Sequence, residues 1–95
     1  MMMKGKQMAK LMLTAERVRE EMFTGGFRPM VGHDFDGFAD AEPGSLIAYP
    51  RVGRHSYVVI FTPSLGDVQI FSSDIESCET EAWEMNLQNG EVMAL

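Results

Sequence analysis

The sequence predicts an α+β fold, with one N-terminal amphipathic helix packed on an antiparallel meander of four to five strands. Three stretches point to it. Residues 6–23 carry apolar side chains at helical spacing, residues 57–72 read as two apolar strands joined by a short loop, and residues 81–95 alternate in polarity around Asn89-Gly90. At 95 residues, 45% of them hydrophobic, the chain is expected to form a single small domain.

In the helix, Met8, Leu11, Met12, Ala15, Val18 and Met22 fall on one stripe, while Lys10, Glu16, Arg17 and Glu20 fall away from it. Gly25-Gly26 supplies the stop, because glycine adopts the left-handed C-terminal conformation without a Cβ clash. A second parse starts the helix at Thr14, a good N-cap, and gives residues 7–13 to a strand. The unbroken stripe favours one helix over residues 6–23. Residues 1–5 are expected to be disordered. A methionine-rich stripe suits packing on a sheet, and it also suits an adaptable contact surface.

Residues 24–44 break every period with Pro and Gly. Phe27, Phe35 and Phe38 predict an irregular but ordered loop tied to a core, with one helical turn near residues 35–40. Residues 45–49 read as a strand that Pro50 ends or confines to an edge, and residues 51–55 as a connecting turn. Both faces of residues 57–62 are apolar: Tyr57, Val59 and Phe61 on one, Val58 and Ile60 on the other. Such a strand needs two covers. The helix is one, and either the 24–44 segment or a second copy of the chain is the other.

In residues 67–72, Val68 and Ile70 share one face and Gln69 and Phe71 the other. Two parses compete after that. Ser73 and Glu76 have capping-box spacing and could open a helix, whereas Trp83, Met85 and Leu87 share a face only in a strand. Asn89-Gly90, the preferred pair of a two-residue hairpin turn, favours the strand.

No motif carries a chemistry. His33, Asp34 and Asp36 are the raw material of a weak metal site, the basis of a small metal-dependent hydrolase acting through residues 33–42. The calcium-loop pattern fails there: counting from Asp34, Gly falls at the fourth position and Phe38 at the fifth. Cys78, with His33 or His55, could supply a nucleophile and base, but Glu76, Glu79 and Glu81 around it raise a thiol pKa. One cysteine forms no internal disulfide and suits a reducing compartment. No phosphate-cradling loop is present, and no cofactor is expected. Arg51, Arg54 and His55 form a small positive spot that, with Arg28, could hold an anion or pair with the acidic loop, and the surface ion pair is the preferred reading.

The net charge is −6, unevenly placed. Residues 1–28 hold six Lys/Arg against three Glu, while residues 55–95 hold seven acids and no Lys or Arg. That balance opposes direct nucleic-acid binding and permits a basic protein as partner. No apolar run is long enough for a membrane span, and no secretory leader follows the first methionines, so a cytoplasmic protein is expected. The expectation is a non-enzymatic protein-binding module with Glu76, Glu79, Glu81, Glu84 and Trp83 at its contact surface, although the alternation that sets Trp83 with Met85 and Leu87 favours the core for the tryptophan itself. Its partner would be a basic protein or complex. Size and charge match the small acidic inhibitors that phages and mobile elements direct at nucleic-acid-handling host or defence proteins. The alternative is a self-associating structural subunit, a homodimer through the Met-rich helix or an open strand edge.

Overall fold

The computed structural model describes residues 11–72 and 81–95. The expectations for residues 1–5, for Met8 and Lys10, for the helical parse at Ser73, and for Glu76, Cys78 and Glu79 lie outside the described residues.

One helix packs on an open antiparallel sheet, as the sequence predicts, but the sheet has seven strands rather than four or five. They are β1 Arg28–Pro29, β2 Leu46–Ala48, β3 Arg51–Val52, β4 His55–Thr62, β5 Asp67–Ser72, β6 Ala82–Asn86 and β7 Val92–Ala94. Their spatial order is β1-β2-β4-β5-β6-β7, with β3 paired to β4. The two strands beyond expectation, β1 and β3, are two residues long, too short to show a period.

β2 and β3 share one register against β4: Ala48 lies opposite Val59, and Arg51 opposite Ser56. Between them the Tyr57 N–H donates to the Pro50 carbonyl at 3.0 Å. They are therefore one strand interrupted at Pro50, which lacks the N–H to return that bond. The expected connecting turn at 51–55 narrows to Gly53-Arg54. Gly53 has φ 61, the positive φ a two-residue hairpin turn needs.

The helix α1 is Ala15–Phe23, so the sequence places its start too early. Thr14 is the N-cap, in extended conformation, its Oγ1 accepting from the Arg17 N–H at 3.2 Å. The second parse has the start right, but residues 11–14 form no strand. The apolar stripe runs through the boundary because this extended lead packs on the same core. Leu11 and Leu13 both join it, and the Met12 N–H donates to the Tyr57 hydroxyl at 3.2 Å.

Both faces of β4 are used. On the first, Tyr57 and Val59 pack with Val68, Ile70, Trp83, Met85 and Leu87 beneath Leu13 and Val18. On the second, Ile47 and Ile60 pack with Met30 beneath Phe35, Phe38 and Ala41. The second cover is thus the chain's own 24–44 segment, which carries β1 and a short helix α2, Gly32–Gly37, rather than a turn near 35–40. Phe35 and Phe38 do the anchoring the sequence predicts, and Phe38 meets Phe71 with ring centroids 5.0 Å apart. Phe27 packs on the first face instead.

Candidate protein-binding surface

The second cover stops short of half the sheet. Its cluster ends at Phe71 on β5. Beyond that point the register sets three rows of side chains on the same face. Asp67 lies opposite Asn86, whose N–H donates to the Glu91 carbonyl. Gln69 lies opposite Glu84, and Glu84 opposite Met93. Phe71 lies opposite Ala82, whose carbonyl accepts from the Leu95 N–H. This half-face is graded: acidic at one end, apolar at the other. At the acidic end, Asp67, Glu84 and Glu91 line one groove of about 220 Å³ with Asn86, Asn89 and Met93. Toward the apolar end, Phe71 and Leu95 line another of about 320 Å³ with Phe38, Ile60 and Gln69. Met93 and Leu95 are 61% and 60% exposed.

β7 is also an edge. Its ladder uses the backbone of residues 91 and 95: the Asn86 N–H donates to the Glu91 carbonyl, and the Leu95 N–H to the Ala82 carbonyl. Backbone groups of a strand point alternately to either side, so the N–H and C=O of Val92 and Ala94 point away from β6. Among the described residues no strand pairs with them.

The loop that presents β7 is set by asparagines. The sequence predicts a two-residue turn at Asn89-Gly90; the structure has a four-residue loop, residues 87–90, between Asn86 and Glu91. The Asn86 Oδ1 accepts from the N–H groups of Gln88 and Asn89 at 2.8 and 3.1 Å. The Asn89 Oδ1 accepts from the Glu91 N–H at 2.8 Å, and Gly90 takes φ 77. Leu87 is thereby freed to pack into the first core, and the Arg19 guanidinium donates to its carbonyl at 2.6 Å. On the first face, Val92, Met85 and Leu13 line a groove of about 530 Å³ between this loop and the start of α1.

The residues singled out by the sequence are distributed as follows. Glu84 lies on the graded face. Glu81 precedes β6, its carbonyl accepting from the Ser72 N–H, and by strand alternation it is in phase with Trp83 rather than Glu84. Trp83 is only 5% exposed and meets Tyr57 edge-on, so it is core and not an aromatic anchor ringed by carboxylates. The hydrophobic alternation Trp83, Met85, Leu87 already carries that placement. Asp67 and Glu91, which the sequence reading did not select, complete the acidic groove. They were missed because strand register, not sequence proximity, brings them to Glu84.

Of the candidate metal ligands, Asp34 is fully engaged. Its side chain is 3% exposed and takes a two-pronged ion pair from Arg28, at 2.8 and 2.9 Å. One of its oxygens also accepts from the Val31 N–H at 2.7 Å, as an acid at the third position of a helix can. The Arg28 guanidinium, then the Val31 N–H, hold the carboxyl well below the usual carboxylate range. The His33 side chain is exposed, 3.6 Å from the same carboxylate. Among the described residues no group of three or more His, Cys, Asp or Glu converges as a metal site. The positive spot is divided: Arg28 does pair with the acidic loop and lies over the Tyr49 ring, while Arg51 and Arg54 sit on the β3–β4 hairpin.

Among the described residues no helix is long and apolar enough to cross a membrane. No family model matches this chain, and neither the curated proteins nor the solved structures give a match. The fold therefore stands as a small α+β domain with an open sheet, half of one face and one edge uncovered by the described residues.

Proposed function

We propose that this chain is a non-enzymatic, cytoplasmic protein-binding module that engages a basic protein through the acidic half-face of β5–β7. The observation that carries the reading is the convergence of Asp67, Glu84 and Glu91 on one groove beside an open edge. Charge supports it, since residues 55–95 hold no Lys or Arg to neutralise that surface. Complementary potentials speed encounter and select against wrong partners. One form of this function is inhibition, with carboxylates occupying a basic groove that otherwise takes phosphates.

Affinity capture from the native host, comparing the wild-type chain with the double variant Glu84→Lys, Glu91→Lys, tests the reading. The expected result is a partner whose recovery falls with added salt and is lost in the double variant. Recovery that survives charge reversal contradicts an acidic contact. A second reading, self-association, rests on the apolar exposure of Val92, Met93 and Leu95. Sedimentation at high micromolar concentration decides it, because a strict monomer has no such interface. The hydrolase reading would require Asp34 to give up bonds to Arg28 and Val31 before it could ligate a metal.

A further inference from the structure

We propose that the partner binds as an extended basic segment that adds to the outer edge of β7 as a further antiparallel strand. The inference rests on the acidic-surface reading above and assigns its binding mode and recognition pattern. Three observations converge on it.

The first is the open edge. Val92 and Ala94 point their backbone groups outward, and each can exchange both an N–H and a C=O with one residue of an incoming antiparallel strand. The second is the placement of charge. A residue set opposite Glu91 lies beside its carboxylate on the second face. A residue set opposite Met93 lies on that face too, and Glu84 is the next residue across the sheet. Strands lie about 4.8 Å apart, so a lysine or arginine there spans roughly 10 Å over Met93 to reach Glu84. The third is the first-face groove of about 530 Å³ beside the position that faces Val92, lined by Val92 and the buried Met85 and Leu13 and also by Glu16, Arg19 and Gln88.

Together these fix a pattern. Read from its N-terminus, the incoming strand meets Leu95, Ala94, Met93, Val92 and Glu91 in turn. It should be apolar against Leu95 and Ala94, cationic against Met93, apolar against Val92 and cationic against Glu91. Charge selects this occupant over a second copy of the chain. In a two-fold antiparallel pair centred on Met93, the place next to Glu91 would be taken by the other copy's Leu95, which leaves the acidic groove without a cation.

The probe is a synthetic peptide of about ten residues with the central sequence Leu-Val-Lys-Val-Arg, titrated into the full chain by calorimetry and by amide NMR. Binding should weaken at least tenfold when the valines, whose N–H groups face β7, are N-methylated, and remain within threefold when the Lys and Arg positions are N-methylated instead. Val92→Pro, which removes an outward donor and no ladder bond, should weaken binding as the first pair of methylations does. Glu84→Lys with Glu91→Lys should abolish it. Equal loss from both methylation phases, with charge reversal still abolishing binding, overturns strand addition and leaves the acidic-surface reading standing. Binding that keeps its methylation phase but ignores charge reversal overturns the basic occupant and the acidic-surface reading together. No binding at millimolar peptide, or a dimer of the free chain that excludes the peptide, overturns the proposal outright. The peptide arms do not depend on whether Val92→Pro folds.

Discussion

The two edges of this sheet are finished differently. At the β1 edge, Arg28 and Met30 face β2 and Pro29 faces outward, since the Met30 N–H donates to the Ser45 carbonyl. Pro29 has no N–H to offer, and its carbonyl is taken by the Arg28 guanidinium at 3.1 Å. The same guanidinium clasps Asp34 of α2, the helix that covers the adjoining core. Proline, brevity and a charged side chain are the devices that keep a sheet edge from pairing with another chain. β7 is also short, at three residues, but it carries neither proline nor a charged side chain. It is Val-Met-Ala with outward donors and acceptors, and its exposed side chains are apolar. One edge is blocked, and the other presents outward donors and acceptors that no strand among the described residues pairs.

Substitutions of graded severity can break that contrast. The covered and uncovered parts of the second face should differ most. Ile60→Ala, under Phe35 and Phe38, should cost about 2–5 kcal/mol in denaturant unfolding, because it opens a cavity in a closed core. Met93→Ala on the open part should change stability by less than about 0.5 kcal/mol. The two prolines of β7 come next. Met93→Pro removes a bond to β6 and should cost about 1–3 kcal/mol, whereas Val92→Pro should cost less. Equal costs would mean that the outward groups of Val92 are already paired.

The clasp of the blocked edge has a pH signature. The Asp34 carboxyl is held below its usual value of 3.8 by Arg28, so its contribution is complete at pH values above that figure. It should decline as pH falls through 3.8 toward the lowered value, because only the unfolded chain then binds the proton readily. Asp34→Asn should lower the melting temperature at neutral pH and flatten the acid limb of stability. An unchanged acid limb would remove the clasp from the account. The smallest effect is at the helix start: Thr14→Ala should cost about 1 kcal/mol by leaving the Arg17 N–H uncapped.

Much of this arrangement is legible in the sequence. The two apolar faces of residues 57–62 require two covers, and Phe35 and Phe38 lie in the segment that supplies the second. The alternation of Trp83, Met85 and Leu87 places the tryptophan in the core. What stays hidden has physical causes. β1 and β3 are too short for periodicity. The stripe through Thr14 conceals the helix start, because an extended lead and a helix bury leucines in the same core. Asn89-Gly90 fits two- and four-residue loops alike, and the Asn86 side chain, three residues away, selects the longer. The acidic groove depends on register, which joins Asp67 of β5, Glu84 of β6 and Glu91 just before β7. Glu84 alone was visible as a candidate.

Amide hydrogen exchange across β7 tests the central claim most directly. In the free chain, the Leu95 N–H, bonded to the Ala82 carbonyl, should be protected, while those of Val92 and Ala94 exchange at nearly the unprotected rate. Saturation with the Leu-Val-Lys-Val-Arg peptide should then protect Val92 and Ala94. Protection of those two amides in the free monomer, or none on saturation, would contradict an open edge that pairs with a basic strand.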